Sequence, residues 1–390
     1  MGAGHLDPRA FEGLLDANPH IAEVELSNYG EMFLNPRVRE LLKIAHDRGV
    51  VLHADNGVNL NHVADETLRA LVQYRFRSLT VSLDGATAES YGRYRLRGDF
   101  EKVIANIRRI NELKHEMRSA FPVLVWQFIV FGHNEHEIET AKGMAAQLGM
   151  SFRPKISWDD DVSPVRDANL VRIQTGLPAT RAEHYRQTGT AYLRSICHQL
   201  WNAPVLNWDG RLLGCCRNYW GDFGVNAFEV GFEESLASDR FLQARQMLTG
   251  GAEAVEGVPC STCELYLKMR QDKNWITRAE IEKSAGDAGV LVAVVFDEAT
   301  MNASHADVFV GPGLQVNRLL LVQPPQAQRV ELRRRQAAYF KLVPGADYTI
   351  YALPKKLDPA FRTQPVSLPA VTLPVRLKAR PVAQEFVLAG

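Results

Sequence analysis

Through the first 157 residues, short apolar runs alternate with segments whose apolar positions recur at helical spacing. Runs rich in Val, Ile, Leu or Phe at 21–28, 50–56, 78–84, 122–131 and 151–157 predict five strands. The intervening 3.6-residue periodicity predicts helices over 8–18, 35–49, 61–74, 98–117 and 136–149. Asn35-Pro36 supplies an N-cap followed by proline at the first helical position, and Gly49 and Gly149 close two of the helices. This order predicts an α/β fold with a parallel sheet and right-handed crossovers, either an open sheet or a barrel-like arc. The chain opens on a helix, so the repeating unit has no strand in front of that helix.

Residues 158–196 read as a polar connector. It begins with Trp158 and the acidic run Asp159, Asp160 and Asp161, either a cation site or an exposed loop. Residues 197–275 form a cysteine-rich window of short strands, Gly-rich turns and one helical segment at 238–248. Beyond it the pattern changes. All six Trp and all five Cys lie at or before Trp275, while ten of the nineteen Pro lie in 311–390. Apolar and polar residues alternate at 318–322, 339–343 and 348–353, which predicts a β-rich module over 290–390 of unknown role. The expected organisation is therefore 1–157, 158–196, 197–275 and 290–390.

Composition narrows the function classes. The 390 residues are 46% hydrophobic and 23% charged, with 45 basic and 45 acidic side chains. That balance gives no electrostatic case for a nucleic-acid or membrane partner. No run of 18 apolar residues and no basic-then-apolar leader is present, so the expected location is cytoplasmic.

The cysteines bring in chemistry. Cys197, Cys215, Cys216, Cys260 and Cys263 all stand in the one window. In a large chain of this kind, metal ligation is favoured over a disulfide framework. A C-x2-C pair sets two thiolates on one tight turn. A hairpin over 205–215, turning at Asp209-Gly210, returns Cys215 towards Cys197. Cys197, Cys215, Cys260 and Cys263 then form a soft four-ligand set that suits zinc or an iron–sulfur cluster; buried free thiols are the alternative. Cys216, next along a strand from Cys215, is expected to face the opposite way. His198 is expected beside the site or in solvent rather than as a ligand.

The run Cys197-His-Gln-Leu-Trp201, then Asn207-Trp-Asp-Gly210-Arg-Leu-Leu-Gly-Cys215-Cys216-Arg-Asn, closed by Cys260-Ser-Thr-Cys263, resembles the SPASM-type (twitch-like when short) extension of radical SAM enzymes. In that family this element holds auxiliary 4Fe-4S clusters, and longer versions continue with C-x5-C-x3-C. Met269 and Lys273 stand at those positions, so the resemblance implies one auxiliary cluster on Cys197, Cys215, Cys260 and Cys263.

The upstream region resembles the same family's partial (β/α) barrel. Gly30-Glu31-Met32 is similar to the Gly-Glu-Pro motif, with Met in place of Pro, and implies contact with the amino group of S-adenosylmethionine. The run Thr80-Val-Ser82-Leu-Asp84-Gly85 implies a Ser82/Asp84 pair near the cofactor ribose. An arginine downstream then meets the cofactor carboxylate. Arg93, Arg95 and Arg97 are physically equivalent from sequence; alignment with the motif selects Arg95. Gln127 and Lys155 are weaker pocket candidates, and Asn134 matches a loop position for which a turn role is expected. The five strands correspond to the family's second to sixth. The first, with its C-x3-C-x2-C loop, would precede Pro8. Three thiolates for that loop and four for the auxiliary cluster make seven, which five cysteines do not supply. The resemblance implies radical modification of a peptide or small-molecule substrate in the family, and a chain without the radical-generating motif. The alternative is a non-catalytic iron–sulfur or zinc scaffold.

Overall fold

The computed structural model describes residues 2–18, 21, 23–158 and 161–284, and thereafter the strands of the tail. Five strands, β1 (Glu23–Glu25), β2 (Val51–Val58), β3 (Ser78–Ser82), β4 (Val123–Val130) and β5 (Ser151–Ile156), form one sheet in the order β1-β2-β3-β4-β5. Every adjacent pair is parallel. Helices α1 (Pro8–Ala17), α2 (Val38–Asp47) and α3 (Asp65–Gln73) are followed by α4 (Ala88–Tyr94), α5 (Phe100–Glu116) and α6 (Ile138–Gln147). The sequence periodicity locates all of these except α4. That helix is only seven residues long and is started by Thr87, which accepts from the Ser90 N–H while Ser90 reaches back.

The two faces of the sheet differ sharply. One carries Leu52, Ala54 and Val58, then Leu79, Val81 and Leu83, then Leu124, Trp126 and Phe128, all buried. The buried sides of α3, α5 and α6, including Leu71, Ile107 and Ile138, complete this core. Trp126 is wholly buried and donates from Nε1 to the Leu83 carbonyl at 2.7 Å. The register places the other face: Glu25 beside His53, Ser82 beside Gln127, and Gln127 beside Arg153. Parallel sheets usually bury both faces in apolar contact; here one face is polar.

The polar connector contains two helices, α7 (Ala168–Thr175) and α8 (Arg181–Thr188). Asp167 and Thr180 cap their N-termini, and Gly176 and Gly189 close them with φ of +73° and +69°. Residues 197–275 hold helices at Asp239–Leu248 and Glu264–Asp272, but isolated bridges in place of the expected short strands. Asp159 and Asp160 lie outside the described residues, and Asp161 is exposed.

The tail contributes β6 (Val290–Phe296), β7 (Ala306–Pro312), β8 (Gln328–Leu332), β9 (Ala337–Leu342), β10 (Asp347–Pro354), β11 (Gln364–Ser367), β12 (Val375–Ala379) and β13 (Val387–Ala389). They form two four-stranded sheets, β11-β10-β7-β8 and β13-β12-β6-β9. Residues 339–342 of one alternating segment fall on β9 and 348–353 on β10; 343 and 318–322 lie outside the described residues. By contact the chain divides into Met1–Phe11, Glu23–Lys43 and Val51–Trp275 as one unit, and Glu12–Ala22, Ile44–Val50 and Ile276–Gly390 as another. Among the described residues no helix is long and apolar enough to cross a membrane.

Removing the largest buried side chain of the apolar face tests this core. Trp126→Ala is expected to cost about 3–5 kcal/mol in urea unfolding. A loss below about 1 kcal/mol would place Trp126 outside the packed core.

Candidate functional site: a thiol-lined cavity and a polar sheet face

Three pieces of chain converge on one small cavity. Its walls include Cys197, Cys215, Cys260 and Cys263, with Leu213, Phe223 and Leu248 among the apolar neighbours. Cys197 lies in the 3-10 turn Arg194–His198, and Cys260 in the turn Pro259–Thr262. Cys263 is the N-cap of the helix Glu264–Asp272, whose amide end favours negative charge.

Cys215 arrives on the expected hairpin, closed by Asn207 N–H to the Arg211 carbonyl at 2.9 Å and Leu213 N–H to the Val205 carbonyl at 2.8 Å. Gly210 and Gly214 adopt φ of +89° and +78°, and a Cβ at either would strike Phe228 or Phe223 at 2.5 Å. Only glycine fits both demands.

Polar clamps hold the pieces together. Arg194 donates to the carbonyls of Asn274 and Trp275, Arg245 to that of Leu200, and the Trp220 indole to that of Pro259.

Burial pushes the Cys215 thiol up to about 11. Cys197 and Cys260 are raised too, by burial first and then by the neighbouring thiols. Without a cation these groups stay protonated at neutral pH, whereas a bound metal would hold them as thiolates. Among the described residues no three cysteine sulfurs lie within 4.8 Å of one another. Ligands set tetrahedrally around one zinc at about 2.3 Å stand roughly 3.8 Å apart. The four-thiol donor set fits a polynuclear iron–sulfur group, and no three of its sulfurs stand as close as the ligands of one zinc ion.

Cys216 does not line the cavity. Its thiol lies in the electrostatic reach of Lys155 and Glu25, towards the polar sheet face. His198 is buried rather than in solvent.

The upstream candidates gather at the carboxyl ends of the strands. Asp84, fully buried, accepts from Arg95 Nε and Nη2 at 2.7 and 2.6 Å on Oδ2, and from the Ile129 N–H at 2.8 Å on Oδ1. Arg95 thus engages Asp84 through two nitrogens and keeps its remaining N–H donors. Glu31 caps a 3-10 turn, accepting from Phe33 N–H at 3.2 Å, and ties itself to the end of β2 through Asn59 N–H at 2.6 Å. Burial pushes its carboxyl up, against the pull of those amides and of Arg95. Gly30 has φ +76° and open space around it.

Ser82 and Gln127 both crowd against Gly57, where a Cβ would stand 2.9 Å from Gln127 Nε2. The buried Gln127 Oε1 has no hydrogen-bond partner. Asn134 does make a turn: its side chain accepts from Phe131 N–H and donates to the carbonyls of Asp84 and Ile129. One cluster escaped the sequence reading, Glu25 with His53 and Asp55 on β1 and β2.

No family model matches the sequence, and no curated protein matches it. Among solved structures, the chain is similar to Streptococcus suis SuiB bound to S-adenosylmethionine, at 12% identity and a TM-score of 0.48, over 68% of this chain and 65% of that one. A second SuiB structure gives 12% identity and a TM-score of 0.44, over 67% and 65%. The chain therefore spans a little less than two thirds of the length of SuiB.

The buried ion pair generates a prediction. Arg95→Met, which strands the Asp84 carboxylate, is expected to cost about 3–5 kcal/mol in urea unfolding. The double variant Asp84→Asn/Arg95→Met is expected to lose clearly less. Equal losses would mean that the two side chains do not depend on each other.

Proposed function

We propose that this chain is a radical SAM/SPASM-type protein whose cysteine window holds one auxiliary 4Fe-4S cluster through Cys197, Cys215, Cys260 and Cys263. The observation that carries this reading is the sorting of the five thiols: four line one cavity and the fifth, Cys216, does not. Such a cluster, when bound, supplies one-electron chemistry. The protein's part is to bring three segments to one point, exclude water with Leu213, Phe223 and Leu248, and offer the amide end of the helix Glu264–Asp272 to the cluster's negative charge.

The polar strand ends would receive S-adenosylmethionine. Gly30 leaves room there, Glu31 accepts from an ammonium group, Ser82 and Asp84 lie on the ribose side, and Arg95 offers its unused N–H donors to a carboxylate. The reaction class would be radical modification of a peptide or small-molecule substrate bound over the same face. A zinc scaffold is the second reading; that no three cysteine sulfurs among the described residues lie within 4.8 Å of one another weighs against it.

Anaerobic reconstitution with iron and sulfide tests the ligand assignment. About four irons and four sulfides per chain are expected for the 4Fe-4S assignment. Cys216→Ser should keep them, and Cys260→Ser should lose them together with the brown colour. A colourless chain with one zinc, or equal loss in both variants, would contradict the assignment.

A further inference from the structure

The polar sheet face carries a second constellation, none of whose residues lines the thiol cavity. Parallel pairing sets Glu25 directly beside His53, and Asp55 follows two residues on along the same face of β2. His53 Nδ1 lies 2.8 Å from Asp55 Oδ2 and 3.6 Å from Glu25 Oε2. The three inner atoms all fall within 4.8 Å of one another. The outer atoms are anchored elsewhere. Glu25 Oε1 accepts from the Ser27 N–H and hydroxyl, both at 2.6 Å, and Asp55 Oδ1 accepts from the Ser78 hydroxyl at 2.7 Å. Glu25 Oε2 also accepts from the Asp55 N–H at 2.8 Å, which fixes the two carboxylates relative to each other. Outer oxygens held by donors, with inner atoms converging, is the arrangement by which proteins orient metal ligands.

A separate observation points to a ligand on this face. Thr80 is completely buried, yet its hydroxyl has no hydrogen-bond partner. Thr80 follows Leu79, the partner of Ala54, on the same side of β3 as Ser78, and stands opposite the irregular stretch of β2 between Ala54 and Val58 that contains Asp55. A buried hydroxyl left unpaired costs about 1–3 kcal/mol. A water on a bound ion would satisfy it. Farther along the face, Gln127 Oε1 is unpaired in the same way.

We infer that Glu25, His53 and Asp55 form a binding site for a divalent first-row cation. One imidazole nitrogen and two carboxylate oxygens suit manganese, iron or zinc, with water completing the coordination. Binding requires His53 Nδ1 to present its lone pair, with the ring proton on Nε2; no electron moves. Two carboxylates facing one imidazole supply the negative charge that such an ion balances. Arg153, whose guanidinium donates to the Asp55 carbonyl at 3.1 Å, and Lys155, in electrostatic reach of Glu25, offset part of that charge without placing an amine or guanidinium among the three converging atoms. The site stands independently of the proposed iron–sulfur cluster.

Mn2+ is the discriminating probe, because it favours oxygen and imidazole over thiolate. Titration of the full chain with Mn2+, followed by loss of the free-ion electron paramagnetic resonance signal, should give one bound ion per chain. His53→Gln and Asp55→Asn should each weaken binding at least about tenfold, and the outer-shell variant Ser78→Ala by about tenfold. Cys215→Ser should leave it unchanged, which separates this site from the thiol cavity. Circular dichroism checks that each variant is folded; if either ligand variant unfolds, Ser78→Ala decides. Absence of saturable binding by the folded wild-type chain would overturn the inference and leave His53 as a bridge between the carboxylates. So would binding that none of the three variants weakens.

Discussion

Burying several thiols around one cavity imposes the constraint on which the second half of the described structure depends. Burial and mutual repulsion both disfavour thiolates at Cys197, Cys215 and Cys260. A cavity of this kind is consistent with charge being neutralised by a metal group. The surrounding segments have little regular structure to hold them; isolated bridges replace strands there. Arginine and indole donors to chain carbonyls take over that task, together with two glycines in left-handed conformations. The architecture is a set of loops tied to one another around a point.

The α/β region obeys a different logic. Its apolar face and helices make an ordinary dense core, which frees the opposite face from any duty in stability. Acids, bases and hydroxyls accumulate on that face: Glu25, His53, Asp55, Ser82 and Gln127. Asp84 and Arg95 neutralise each other at the strand ends, so the buried carboxylate is held in place before any ligand arrives. Cys216 and Lys155 lie between the two regions: one residue past the cavity wall, Cys216 lies within electrostatic reach of the sheet's Lys155 and Glu25.

Much of this was legible in the sequence, for identifiable reasons. Four of the five strands lie within the apolar runs that predicted them, because a buried strand leaves a dense local signature, and β2 continues two residues past its run to Val58. The C-x2-C spacing and the hairpin pointed to the four cysteines that line the cavity, but the strand alternation expected to turn Cys216 away does not apply, because Cys215 and Cys216 lie in a bend and a turn. Helices α7 and α8 were hidden by their polar composition, although Asp167, Gly176, Thr180 and Gly189 mark their ends. The Arg95–Asp84 pair could not be read, since three arginines at alternate positions compete and only the end of α4 selects one. Glu25 and His53 are 28 positions apart in sequence and meet only through parallel pairing. The signal for them was the polar alternation of His53 and Asp55 within an otherwise apolar run.

The central proposal is that one cavity, lined by four cysteine side chains, holds a polynuclear iron centre. X-ray data from crystals of the anaerobically reconstituted chain, collected above and below the iron absorption edge, test it most directly. The account predicts one strong iron anomalous feature bounded by Cys197, Cys215, Cys260 and Cys263, with Cys216 outside it. A single zinc peak, or no metal with those thiols paired as disulfides, would contradict it.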